Sequence, residues 1–207
     1  MNLSSDSFHD RGKIPARCAL AVPADPGPVA LSENRSPHLS WDEIPAGTKS
    51  FVVTCIDHAC PSAPDDVNQQ DRLVPETLPR VDFTHWLLAD IPSTVVEFAE
   101  GAHSTEVTAG GKPASGAILG VHGMNDYTAW FAGDPDMEGT WCGYDGPAPP
   151  WNDSIVHDYE FTVAAVDVES LGLAPGFTRD ELEAALEGHV LASASITGVY
   201  ASNPSLH

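Results

Sequence analysis

Basic residues are scarce in this chain. Nine Lys and Arg stand against 30 Asp and Glu in 207 residues, a formal net charge of -21. An acidic surplus of that size repels nucleic-acid phosphates and anionic lipid surfaces at long range, which argues against nucleic-acid binding. It favours solubility, and with so few lysines it points to a saline cytoplasm. Long apolar runs are also missing. No stretch approaches the roughly 20 apolar residues a membrane helix needs, so no stable membrane insertion is expected. The opening residues Met1 to Phe8 show neither a basic start nor an apolar run, so no secretory signal is read and a cytoplasmic location is expected. Cysteine is limited to Cys18, Cys55, Cys60 and Cys142, with no Cys-x-x-Cys spacing. A zinc finger or dithiol redox motif is therefore not expected, and the four read as free, mostly buried thiols. The Gly-Lys-Ser/Thr ending of a phosphate P-loop and the Gly-x-Ser-x-Gly elbow of a hydrolase are both lacking. No repeat period or low-complexity linker divides the chain, so residues 1–207 are expected to form a single domain.

Turn formers, by contrast, are plentiful: 18 Pro and 17 Gly are spread along the whole length. Short strands among turns follow from that. Phe51 to Ile56 is a β-branched, apolar run of strand length, expected to be buried on both faces and to end at Asp57. His58 to Asp82 reads as a long polar loop, and Phe83 to Ile91 as a second central strand. Ile155 to Val163 opens a third, in which His157 and Tyr159 share a face with Phe161 and Val163. Thr178 and Glu181 have capping-box spacing ahead of Leu182, Ala185 and Leu186, which predicts one short helix ending near Gly188. A final strand covers Ala194 to Tyr200, with a kink or bulge expected at Gly198. The expectation is a mostly-β fold with Greek-key connections, long loops and one or two short C-terminal helices.

Three strand-and-loop junctions deliver polar groups from apolar surroundings: Asp57, His85 and the pair His157/Tyr159. The stiff segment Cys142 to Pro150 runs toward the last of them, with Gly143 and Gly146 permitting close approach of the backbone. If these strands are neighbours, two imidazoles, a phenol and loop amides beside Gly146 converge as donors, a set suited to phosphate or carboxylate. His9, His38, His103, His122 and His207 read as surface or loop residues, Trp41 and Trp86 as core. Trp130, Trp141 and Trp151 read as loop residues that pack or cap.

The motifs Ser36-Pro37-His38-Leu39-Ser40-Trp41, Pro45 to Phe51, Asp57 with Pro61, His85-Trp86, Gly143 to Pro150 and His157-Asp158-Tyr159 occur in one order along the chain. From Phe8 to Tyr200 the sequence resembles the phosphatidylethanolamine-binding protein family, in its bacterial YbhB/YbcL, Raf kinase inhibitor-like branch. The resemblance implies a two-sheet antiparallel β fold with a small pocket for phosphate, phosphoryl head groups or similar anions; with no activated nucleophile in view, a non-enzymatic protein without a cofactor is expected. It implies Asp57 as the pocket acid, His85 and His157 as the pocket histidines, Tyr159 as the aromatic hydroxyl, Phe83 at the mouth, and Ala148 in the loop that supplies backbone contacts. Its implied partners are a small anion or phosphorylated ligand, a phosphoprotein or kinase, and a second copy of the chain in a homodimer. The sequence departs from the family where Asp-Pro-Asp-Ala-Pro is replaced by Asp57-His58-Ala59-Cys60-Pro61, with Ala59 in place of the second acid. The segment 64–82 is a further difference, read as a lid or a dimer contact.

Two other classes compete. Asp57, His58, Cys60, His85 and His157 are a ligand set for a metal-dependent hydrolase, although no His-x-His or His-x-x-x-His pair fixes two of them on one element. A protease inhibitor is the other, with nothing beyond the amino-terminal region to carry the inhibition.

Overall fold

The computed structural model describes residues 1–206; His207, expected at the surface, lies outside them. In chain order the elements are β1 (Asn2–Ser4), β2 (Ala21–Pro23), β3 (Val29–Leu31), β4 (Leu39–Asp42), β5 (Ser50–Pro61), β6 (Arg80–Pro92), β7 (Glu97–Phe98), β8 (Val121–His122), α1 (Tyr127–Trp130), β9 (His157–Val166), α2 (Arg179–Leu186) and β10 (Val190–Tyr200). They form a five-stranded sheet in the order β10-β9-β5-β6-β8, a three-stranded sheet β1-β4-β7 and the β2-β3 ribbon, with antiparallel pairing between the strands. The fold is mostly β, as expected. Among the described residues no helix is long and apolar enough to cross a membrane.

Strand β5 lies at the centre because its run is apolar on both faces. Phe51, Val53 and Cys55 join the main core with Trp41, Leu39 and Phe98 from the smaller sheet. Val52 turns the other way, to Leu87, Ala89, Phe177 and Leu182 beneath α2. Helix α2 starts as its sequence dictates: the Thr178 hydroxyl accepts from the Glu181 amide, and the Glu181 carboxylate accepts from the Thr178 amide. Both Trp41 and Trp86 are core residues, and Trp141 is fully buried with them.

Three expectations need correction. Strand β5 does not stop at Asp57 but continues to Pro61, because Cys60 and Pro61 pair with Val81 and Arg80 across a register shift. The last sheet pair has no bulge at Gly198, which pairs regularly with Tyr159; the irregularity lies at Val190/Ala192. Gly198 is needed because a Cβ there would run into the Ile14 side chain and the Phe8 ring. Of the histidines read as surface or loop residues, His103 lies in a loop and His122 in β8, and neither is at the surface. They are buried, with the His103 ring against Phe98, Trp86 and His122.

Candidate functional site

Register brings the site together. Asp57 on β5 pairs with Phe83 on β6 on one side and with Tyr159 on β9 on the other. His85 is two residues along β6 from Phe83, and His157 two residues before Tyr159, so strand alternation turns all five side chains toward one face. They line a cavity of about 370 Å³ with Cys60, Pro64, Asp126, Tyr127, Trp130 and Ala148. Asp57, His85, His157 and Tyr159 are buried, while Phe83 and Ala148 are partly open and Trp130 is exposed at the rim.

Gly146 does not line this cavity. Its amide donates to Asn34 Oδ1 at 2.8 Å and its carbonyl accepts from the Tyr127 hydroxyl at 2.7 Å, so both backbone groups are spent on holding the loop. Asp145 is the anchor beside it, fully buried. Its carboxylate takes Lys112 at 2.5 Å, Asn34 at 2.8 Å and Asn125 at 2.9 Å. Burial pushes the Asp145 carboxyl up, and the Lys112 ammonium and the two amides oppose that shift. The Asp145 carbonyl then accepts from His85 Nδ1 at 2.7 Å. A carbonyl only accepts, so His85 Nδ1 carries hydrogen and Nε2 is the free ring nitrogen. Burial lowers the His85 pKa, against the pull of Asp57 and the Asp145 carbonyl.

His157 is held differently. Its Nδ1 lies 2.8 Å from Asp57 Oδ2 and its Nε2 3.1 Å from Asp153 Oδ2. Asp153 in turn is gripped by both terminal nitrogens of Arg80, at 2.6 and 3.0 Å, and Arg80 also reaches the carbonyls of Ala59 and Pro75. Burial opposes a charged imidazole, but hydrogen bonds to Asp153 and Asp57 and their charges exceed it and raise the His157 pKa to about 9. Burial acts upward on Asp153 as well, yet the bonds from His157 and Arg80 bring its carboxyl below the ordinary range. His157 is thus an imidazolium whose two N–H groups are both directed at carboxylates. Asp57 completes its bonding through Oδ1, which accepts from the Ala59 amide at 2.7 Å. The Tyr159 hydroxyl, at the inner end, is buried and has no partner.

Ala59 therefore supplies through its backbone amide a contact that steadies Asp57. His58 points away from the cavity and pairs with Asp82 at 2.7 Å. Cys60 is at the wall, its thiol pushed up to about 12 chiefly by burial. Among the described residues, no three His, Cys, Asp or Glu groups are placed to hold a metal ion, so the hydrolase ligand set does not assemble. The segment between β5 and β6 forms part of the wall through Pro64, Val67 and Asn68. Asn152 pins it there, accepting from the Asn68 amide and donating to the carbonyls of Asp66, Gln69 and Arg72.

Sequence reasoning missed Asp153, Arg80, Asp145, Asp126 and Tyr127. One signal was readable: Asp153 lies four residues before His157. Arg80 and Asp145 come into reach only through tertiary pairing.

Fold and cavity together define a two-sheet antiparallel β protein whose larger sheet ends in a small, acid- and imidazole-lined recess. The family model described as phosphatidylethanolamine-binding protein matches residues 4–201, and the chain belongs to that family. It is 34% identical over 200 residues to a UPF0098 protein of Methanothermobacter thermautotrophicus, covering 97% of this chain and 98% of that protein. Against the UPF0098 protein YbhB of Escherichia coli it is 31% identical, covering 97% and 99%. The crystal structure of Escherichia coli YbcL, described as a member of the mammalian PEBP family, superposes with a TM-score of 0.66 at 24% identity over 97% of both chains. That likeness concerns the fold.

Proposed function

We propose that the protein binds a small oxyanion of the phosphate class, a phosphoryl head group included, and does no chemistry on it. The observation that carries this reading is the convergence of Asp57, the free Nε2 of His85 and the unpartnered Tyr159 hydroxyl in one cavity. A buried hydroxyl without a partner is a vacancy in hydrogen bonding that a ligand oxygen fills. The family's description as phosphatidylethanolamine-binding supports the same class of ligand. Two further features favour binding over catalysis. The Cys60 thiol, held at about 12, supplies no thiolate near neutral pH. His157 is kept protonated between two carboxylates, so it is not a free base. A phosphorylated side chain of a partner protein presents the same group, and occupying such a motif is how this protein would modulate a kinase or its target.

Calorimetric titration with phosphorylethanolamine tests the reading. The native protein gives one site, and two variants each weaken it at least about tenfold: His85→Ala, which removes a ligand contact, and His157→Ala, which removes the imidazolium that holds Asp57 in place. Unchanged affinity in both variants would sink it.

A further inference from the structure

The hydrogen-bonding groups that face the cavity are mostly acceptors. Asp57 on β5 offers a carboxylate: each oxygen already accepts one hydrogen bond, from His157 or from the Ala59 amide, and keeps a second lone pair. His85 on β6 offers a lone pair at Nε2, because its hydrogen is fixed on Nδ1 by the Asp145 carbonyl. Asp126, just before α1, offers a second carboxylate, although one of its oxygens already accepts from the Thr84 amide. The cationic groups nearby are committed: His157 on β9 to Asp57 and Asp153, Arg80 to Asp153, Arg179 to Asp82. Tyr127 donates to Gly146 and Cys60 toward Pro61, which leaves the Tyr159 hydroxyl as the ready donor at the buried end; Ser62, Asn68 and Trp130 line the cavity at its exposed side.

A fully ionised oxyanion is itself all acceptor, and against such a wall its oxygens would meet lone pairs. Resting on the oxyanion reading, we propose that the cavity selects phosphate monoesters and takes them with a proton, the ligand O–H donating to Asp57. Tyr159 donates to a second oxygen, and a proton added at His85 Nε2 makes a third contact. No bond other than O–H or N–H is made or broken, and both protons, the one on the ligand and the one added at His85, come from solvent. A phosphate monoester, with its second pKa of about 6, carries that proton readily near neutral pH. A sulfate monoester does not, nor does a phosphodiester, so an intact phospholipid head group is disfavoured at this site while the monoester is accepted. Asp57 is thus a specificity-determining residue: its charge and remaining lone pairs face a ligand oxygen that has no hydrogen to donate, and such a ligand is rejected.

The test compares phenyl phosphate, phenyl sulfate and glycerophosphoethanolamine by calorimetry between pH 6 and 8.5, in two buffers of different ionisation enthalpy. Phenyl phosphate is expected to bind with uptake of up to two protons, one on the ligand and one at His85 Nε2, and to weaken by up to about a hundredfold per pH unit above roughly 7. Phenyl sulfate and the diester are expected to be at least about a hundredfold weaker at pH 6. Asp57→Asn, which places an amide donor where the acceptor was, should remove the ligand's share of the pH dependence, leaving only that of His85, and raise the affinity for phenyl sulfate; its melting curve reports whether it folds. Equal binding of all three ligands without proton uptake would overturn the selection by protonation and leave the oxyanion reading standing. Absence of binding by any of them at every pH would overturn both. Should Asp57→Asn prove unfolded, the native protein's buffer dependence and ester preference still decide the matter.

Discussion

His157 is the residue on which the charge arrangement of the site turns. A nearly inaccessible imidazole ordinarily loses its proton, yet Asp153 and Asp57 bracket both ring nitrogens and hold its pKa at about 9. The folded value lies above the unfolded one, near 6.5, so the stabilisation is complete below about pH 6.5 and is lost as pH rises through about 9. Across that window the unfolding free energy should fall by about 3 kcal/mol, measurable by urea titration at pH 6.5 and 9.5. Replacing Asp153 by Asn removes one of the two carboxylates. In an NMR titration of the ring protons, the His157 pKa should drop by a unit or more in that variant. A titration unchanged by the substitution would show that Asp153 has no hold on the proton.

At the level of elements, β8 and the segment from Gly101 to Gly120 carry the opposite electrostatic problem. His103 and His122 are buried side by side with three ring nitrogens unpartnered, and burial lowers both to about 4. Their folded values are depressed, so stability is full above about pH 6.5 and declines as pH falls toward 4, where both must charge. Acid should loosen this segment first, seen as lower amide protection factors, corrected for the intrinsic exchange rate at each pH, around Val121 and His122 at pH 4.5 than at pH 7. A His103→Leu/His122→Leu double variant should lose that acid sensitivity. Hydrophobic periodicity in the sequence did not disclose this burial, since Ala102, Ser104 and Gly123 make the flanks look like loop; Trp86 and Phe98 cover His103 from distant strands. Strands β5, β6 and β9 were legible because their apolar runs are long, and α2 because Thr178 and Glu181 cap it. Helix α1 has four residues, too few to show a helical period. The site itself was half legible. Asp57, His85, His157 and Tyr159 stand out as polar residues in apolar strands. Arg80 and Asp153 do not, because their roles exist only once the β5–β6 segment folds against the loop before β9.

For the molecule as a whole, the few bases are already engaged. All six arginines, Arg11, Arg17, Arg35, Arg72, Arg80 and Arg179, pair with acids, and Lys112 is spent on Asp145. Most of these pairs are exposed and contribute little. The remaining acids repel one another over the surface with a formal net charge of -21, and this repulsion disfavours the compact state. The range of that repulsion is set by salt: the screening length is about 10 Å at 0.1 M and about 3 Å at 1 M. The exposed pairs weaken under the same screening, but nine cations cannot offset 30 anions. The melting temperature should therefore rise by several degrees between 0.05 and 1 M potassium chloride, about 1 kcal/mol or more in a chain of this size. Chloride is the salt to use, because sulfate would strengthen apolar burial and confuse the two effects. A melting temperature that stayed level or fell over that range would mean that the exposed ion pairs, and not the acidic excess, dominate the surface electrostatics.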